Sequence, residues 1–307
     1  GDKSPFWKWY TVYKFPFEIK QNPDYACWWG FGQMPKLNTG FRPVTDFLLD
    51  LVSTWTREAG LDGWRLDVPE EVPPAFWREF RTRVKEVRPD VYLLGEIWFD
   101  GKDWLQGDRF DGIMHYRLRQ RALDFFLQPG ALPEEFVSTL EWWFRELPPA
   151  AWRGLYHLSG SHDTVRLATL TREHPELVKS FLAFLFLLPG LPALYYGDEI
   201  GMEGGKDPDN RRCFPWKSAP EEAPLFAWTR ALVKLRREQD GLSSARVRFL
   251  RRWPPDWLVL ERPLPGGGSL AGAWNLTRSP LRLPDEMAAA GTVLLSSGSP
   301  LVPPGGV

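Results

Sequence analysis

Three apolar segments of this chain end on or lead into a carboxylate, and their spacing constrains the fold more than any other feature. Gly63-Trp-Arg-Leu-Asp67 and Val91-Tyr-Leu-Leu-Gly-Glu96 read as strands, and residues 154–158 lead into Ser161-His162-Asp163. A charge at the end of an apolar strand is costly unless it is paired or used. Asp67 and Glu96 are 29 residues apart, and Glu96 and Asp163 are 67 apart. One strand–helix unit of an eightfold barrel averages roughly 30 residues, given ~250 for eight units. The acids therefore fall about one unit and then two units apart, each just after a strand, where such a barrel carries its active site. A period of two also puts Arg65 and Asp67 on one strand face.

The segments between fit that frame. Residues 43–58 carry Phe47, Leu48, Leu51, Val52 and Trp55 at helical spacing with Pro43 at the start, and residues 74–87 carry Trp77, Phe80, Val84 and Val87. Further helices are expected at 117–126, 133–146, 173–188 and 223–239, and further strands at 110–114 and 193–196. Alternating strand and helix over residues 43–240 predicts an α/β fold with a parallel sheet and helical crossovers. Residues 1–42, rich in aromatics, Pro, Gly and Asn, read as a long irregular loop. From Gly241 short alternating runs, 257–261 and 270–274, are separated by Pro-Gly clusters and predict a small all-β domain. The expected division is a partial (β/α)8 catalytic domain over 1–240 and a C-terminal β-sandwich over 241–307.

Charge and cysteine content remove several function classes. With 38 basic against 39 acidic residues, no basic excess attracts a phosphate backbone, so nucleic acid is not the expected partner. Cys27 and Cys213 are the only cysteines and form no CxxC, which argues against a disulfide framework or a zinc site. The longest apolar run, 181–196, is broken by Pro189, Gly190 and Pro192 and reads as a buried helix followed by a strand, so no membrane span is expected. The chain starts on glycine inside a loop, with no signal peptide, and is expected to begin partway through a longer protein.

Three carboxylates around one pocket suit hydrolysis of a glycosidic bond, one attacking the anomeric carbon, one protonating the leaving oxygen and one stabilising the oxocarbenium-like transition state. Arg65 is placed to orient Asp67 by a charge-assisted hydrogen bond. Glu96 ends an apolar strand beside Trp98, where burial would keep it a proton donor. His162 is placed to donate to a sugar hydroxyl. Each feature has a plainer explanation: a structural ion pair for Arg65 and Asp67, a helical salt bridge for Asp207 and Arg211, and core packing for Trp98. Trp28 and Trp29 suit either sugar stacking or packing under their loop.

Gly63-Trp-Arg-Leu-Asp67, Gly95-Glu-Ile-Trp98 and Ser161-His-Asp-Thr164 resemble three successive active-site motifs of the α-amylase family of glycoside hydrolases. Met34-Pro-Lys-Leu-Asn38, Tyr195-Tyr-Gly-Asp-Glu-Ile-Gly-Met202 and Asp207-Pro-Asp-Asn-Arg211 are similar to segments of its neopullulanase, cyclomaltodextrinase and maltogenic amylase subgroup. The resemblance implies a (β/α)8 TIM barrel, present here as about strands 4 to 8, and retaining cleavage of α-1,4 bonds in maltodextrins, cyclodextrins or pullulan. By motif, Asp67 is the nucleophile, Glu96 the acid/base and Asp163 the transition-state stabiliser. Arg65 and His162 lie beside them, Asp207 and Arg211 grip glucose on the non-reducing side, and Trp98 lies on the leaving-group side. No cofactor or catalytic metal is implied. A structural calcium of the full-length protein would use residues outside this chain. A cytoplasmic location and a full-length homodimer are also implied.

Two departures qualify the match. The family's earlier Asp…Asn-His motif on the third barrel strand has no counterpart, so the N-terminal half of the barrel is expected to be a missing partner. His115 also stands where the subgroup carries Asn, and either alters a sugar contact or fills space. Two other readings remain open: a truncated, non-hydrolytic glucan-binding fragment, and an α-glucan transglycosylase.

Overall fold

The computed structural model describes residues 2–128, 132–217, 223–243, 246–251, 257–277 and 285. The chain divides into two compact units, one of residues 1–97 and 101–113, the other of residues 98–100 and 114–307.

In the first unit, the segment before residue 42 is held by isolated antiparallel bridges, Tyr10 with Leu37, Val12 with Tyr25, Gln21 with Phe31 and Cys27 with Pro35, rather than by a sheet. The expected irregular loop is present. Helix α1 (Arg42–Glu58) starts with Pro43 in its first turn, where a missing N–H costs nothing. It packs on α2 (Pro74–Val87), which buries Phe76, Trp77, Phe80 and Val84 along one face. Strands β1 (Gly63–Leu66), β2 (Tyr92–Gly95) and β3 (Gly112–Ile113) form a parallel sheet in that order. Its register pairs Arg65 with Leu94 and Leu66 with Gly95. Asp111 fastens α2 to this sheet: its carboxylate accepts from Arg81 at 2.8 Å, from Lys85 at 2.9 Å and from the Leu93 N–H at 2.9 Å. That engagement, with Phe110 packed on the Trp77 and Trp104 rings, confines β3 to two residues where the sequence predicts a strand over 110–114. At Gly95 any Cβ would stand 2.5 Å from the Phe110 ring, so the residue before Glu96 has no room for a side chain.

The second unit contains α3 (Tyr116–Leu127), α4 (Pro133–Glu146), α5 (Pro149–Trp152), β4 (Tyr156–Leu158), α6 (Leu167–Leu170), α7 (Glu176–Leu187), β5 (Leu191–Ala193) and α8 (Pro224–Glu238). Strands β4 and β5 pair in parallel, and Met114 adds a parallel bridge to Tyr156. Leu118, Leu140, Leu155, Leu158, Phe181 and Leu182 fill the core. The strand predicted over 193–196 instead ends at Ala193. Tyr195 and Tyr196 leave it to cover the guanidinium of Arg166, their ring centroids 4.5 and 4.6 Å from its central carbon.

Beyond α8, β6 (Arg248–Phe249), β7 (Trp257–Pro263) and β8 (Ser269–Asn275) form an antiparallel sheet. Trp274 donates its indole N–H to Ser180 O at 3.1 Å, and buried Arg262 donates to Leu187 O at 2.5 Å, so the sheet is tied to α7. The remainder of the sandwich expected up to residue 307 falls largely outside the described residues. None of the described helices is long and apolar enough to cross a membrane.

Candidate active site

The expected site residues assemble into two groups, each within one unit. In the first, Arg65 leaves β1 and its guanidinium spans two carboxylates. One nitrogen contacts Asp67 Oδ1 and another lies 2.8 Å from Glu96 Oε1. The two acids differ sharply in environment, the Asp67 side chain being 72% exposed and that of Glu96 only 3%. The second oxygen of Glu96 accepts the Val68 N–H at 3.1 Å. Val68 provides that bond from a left-handed conformation, φ +38° and ψ +54°, which is strained for a β-branched residue. The parallel register explains the meeting: Glu96 follows the Leu66–Gly95 pair, and its own N–H donates to Leu66 O at 2.9 Å. The face of β1 that carries Arg65 is open, and the strand is most deeply buried at Leu66 on its other face.

The second group is built on the loop after β4. Ser161 Oγ accepts from the Tyr116 hydroxyl at 3.0 Å and from the Asp163 N–H at 3.1 Å, while Thr164 Oγ1 accepts the Ser161 N–H at 2.9 Å. These short-range bonds close the turn that presents His162 and Asp163. His162 Nε2 lies 2.9 Å from Asp163 Oδ2, and Arg211 Nη2 lies 3.5 Å from the other carboxylate oxygen. Arg211 also meets Asp207 at 2.7 Å, so the salt bridge weighed for that pair exists, and its guanidinium reaches Asp163 as well. Trp98 stacks on Tyr116, centroids 3.7 Å apart and planes 7° from parallel, and remains part-exposed.

The matching family model is the α-amylase catalytic domain, over residues 8–233. The chain belongs to the α-amylase family of glycoside hydrolases. It is 40% identical over 250 residues to a cyclomaltodextrinase of Geobacillus thermopakistaniensis, covering 81% of this chain and 42% of that protein. It is 37% identical over 249 residues to neopullulanase 2 of Thermoactinomyces vulgaris, again covering 81% and 42%. Among solved structures it resembles the cyclic α-maltosyl-(1→6)-maltose hydrolase of Arthrobacter globiformis in complex with cyclic α-maltosyl-(1→6)-maltose, with a TM-score of 0.78 and 34% identity over 85% of this chain and 58% of that one. The chain thus spans about 42% of the length of these curated relatives. The subgroup resemblance read from the motifs is borne out.

Within this α-amylase-family chain the structure adds residues that the motif reading left without roles. Asp198, after β5, is buried and accepts from Ser159 Oγ at 2.5 Å, with Arg166 Nη1 at 3.8 Å. Burial pushes its carboxyl up to about 6 against the opposing pull of Ser159, Arg166 and Arg119. In the sequence Asp198 lies just beyond the apolar strand expected over 193–196, much as Asp67 and Glu96 end theirs, which is the signal that would have singled it out. His115 resolves toward filling space: it is buried, its ring 5.5 Å from that of His157 and 5.4 Å from that of Trp143. Trp29 is exposed and donates to Glu71 at 3.1 Å, and its ring stacks on Trp28. Cys27 and Cys213 are both free thiols. Among the described residues, no group of three or more His, Cys, Asp or Glu side chains is placed to hold a metal ion.

Proposed function

We propose that the protein to which this chain belongs hydrolyses α-1,4-glucosidic bonds in maltodextrins, cyclodextrins or pullulan, with retention of configuration. The observation that carries this reading is the guanidinium of Arg65 shared by an exposed Asp67 and a buried Glu96. Two carboxyl groups in unlike surroundings suit a division of labour between nucleophile and acid/base.

In this reading an Asp67 oxygen bonds to the anomeric carbon as the bond from that carbon to the glycosidic oxygen breaks, and Glu96 gives its proton to the departing oxygen. Glu96 then takes a proton from water, the water oxygen attacks the same carbon, and Asp67 is released. Asp163 stabilises the positive charge on the ring and His162 donates to a sugar hydroxyl. Asp207 and Arg211 hold glucose on the non-reducing side, and Trp98 lies under the leaving group. The two carboxyl groups and water account for every proton and bond change, so the reaction in this reading uses no cofactor. Residues 1–240 are read as strands 4 to 8 of a (β/α)8 barrel and residues 241–307 as a C-terminal β-sandwich. A cytoplasmic location and a homodimer of the full-length protein belong to the same reading; an intracellular maltogenic amylase of Bacillus subtilis is among the relatives, 34% identical over 242 residues.

Proton NMR of the first product released by the full-length protein from cyclodextrin tests the mechanism. The α-anomer is expected, and initial β-anomer would overturn retention. Asp67→Asn is expected to lower turnover by orders of magnitude, and near-normal turnover would remove Asp67 as the nucleophile.

A further inference from the structure

In the segment Asp207-Pro-Asp-Asn-Arg211 the two ends are charged and the buried member is Asn210. Its side chain is fully enclosed and points at the backbone of the loop that carries His162 and Asp163. The carboxamide nitrogen lies 2.7 Å from His162 O, 2.9 Å from Thr164 O and 3.5 Å from Ser161 O. Three carbonyl oxygens around one end of the amide require the NH2 group there, because an oxygen would face only acceptors. The other end, Oδ1, is buried with no hydrogen-bond partner among the described residues. The amide is therefore committed to the loop carbonyls.

The segment behind Asn210 is itself anchored. Its backbone carbonyl accepts from Arg166 Nε at 2.8 Å, and the Arg166 N–H donates to Gly204 O at 3.1 Å. Gly204 lies so close that a Cβ there would stand 2.8 Å from Asn210 Cα. Asp209 accepts the Gly205 N–H at 2.6 Å and pairs with Arg212. The next residue, Arg211, continues the same grip, donating to His162 O at 3.0 Å and reaching Asp163 Oδ1.

We propose that Asn210 is a positioning residue for glycosidic hydrolysis, its buried carboxamide fixing the backbone from Ser161 to Thr164 and with it the Asp163 carboxylate and the His162 imidazole. The assignment rests on the function proposed above for Asp163. Asn210 touches no reacting atom. It acts by holding the loop that carries Asp163, so its loss should lower the rate of the chemical step more than ground-state binding.

The test is a double-mutant cycle in the full-length protein with cyclodextrin as substrate. Asn210→Asp keeps the shape but puts a carboxylate oxygen against the three carbonyls, and Asn210→Ser keeps a single shorter donor in case the first variant does not fold. In a protein whose thermal unfolding midpoint stays near that of the parent, kcat is expected to fall by on the order of tenfold or more, with KM changing less than about threefold. In an Asp163→Asn background the same substitution is expected to cost less than about threefold, because the carboxylate it positions is already gone. Full kcat in a folded Asn210 variant, or equal losses in both backgrounds, would overturn the proposal. An Asp163→Asn variant that retains normal turnover would instead overturn the role given to Asp163, and is separable because it needs no change at Asn210.

Discussion

Arg65 holds together what its strand and the next one bring near. A guanidinium presents several donors in a planar fork, so it can contact Asp67 and Glu96 at once, whereas an ammonium is a single point of charge. Arg65→Lys is therefore expected to behave like a loss of function rather than a conservative change, lowering kcat/KM of the full-length protein on cyclodextrin by about a hundredfold. A loss under about threefold would show that the shared contact is not used in the reaction. Val68 shows the same dependence on local detail. A valine before proline is biased toward extended backbone, and it takes the left-handed conformation here, where its N–H meets the carboxylate of Glu96.

At the scale of elements, α3 and β4 meet over two buried imidazoles. His115 immediately precedes α3 and His157 lies on β4, with Trp143 and Arg117 near the first and Pro189 O, Arg236 and Arg262 near the second. Burial holds His115 well below its ordinary range and brings His157 down to about 4. Both are neutral in the folded protein when the unfolded chain would already take up protons. Their contribution is intact above about pH 6.5 and is lost as pH falls from there toward 4. Asp198 opposes this over part of the window. Its folded carboxyl takes a proton near 6, above its unfolded value of 3.8, so acidification between those values favours the folded state. Urea midpoints of the full-length protein are expected to fall between about pH 7 and about pH 5, and Asp198→Asn is expected to steepen the fall. A pH-independent midpoint in both proteins would contradict the account.

Across the whole molecule, the first unit leaves surfaces that call for cover. β1 is the end strand of its sheet, and α1 exposes Phe47, Leu51 and Trp55 at four-residue spacing, a continuous apolar stripe. The isolated 307 residues are therefore expected to self-associate as concentration rises and to hydrolyse cyclodextrin at least about a hundredfold more slowly than the full-length protein. Light scattering and a reducing-sugar assay check both, and robust turnover by the isolated chain would refute the expectation.

The strand–helix alternation, the carboxylates at strand ends and the family were legible in the sequence, because apolar periodicity and turn residues act over a few positions and survive in the linear order. Strand limits near Phe110 and Tyr196 were not, since side-chain engagements from distant segments, Trp77 on Phe110 and Arg166 beneath Tyr195 and Tyr196, ended the pairing there. The sequence by itself determined that Asp67 and Glu96 would end neighbouring strands. Only the tertiary structure decided that one guanidinium would serve both, that Val68 would turn its N–H to Glu96, and that Asn210 would disappear beneath the loop of Asp163. The reason is physical: which polar groups meet depends on strand register and on what is buried, and both are settled by packing between segments far apart in the chain.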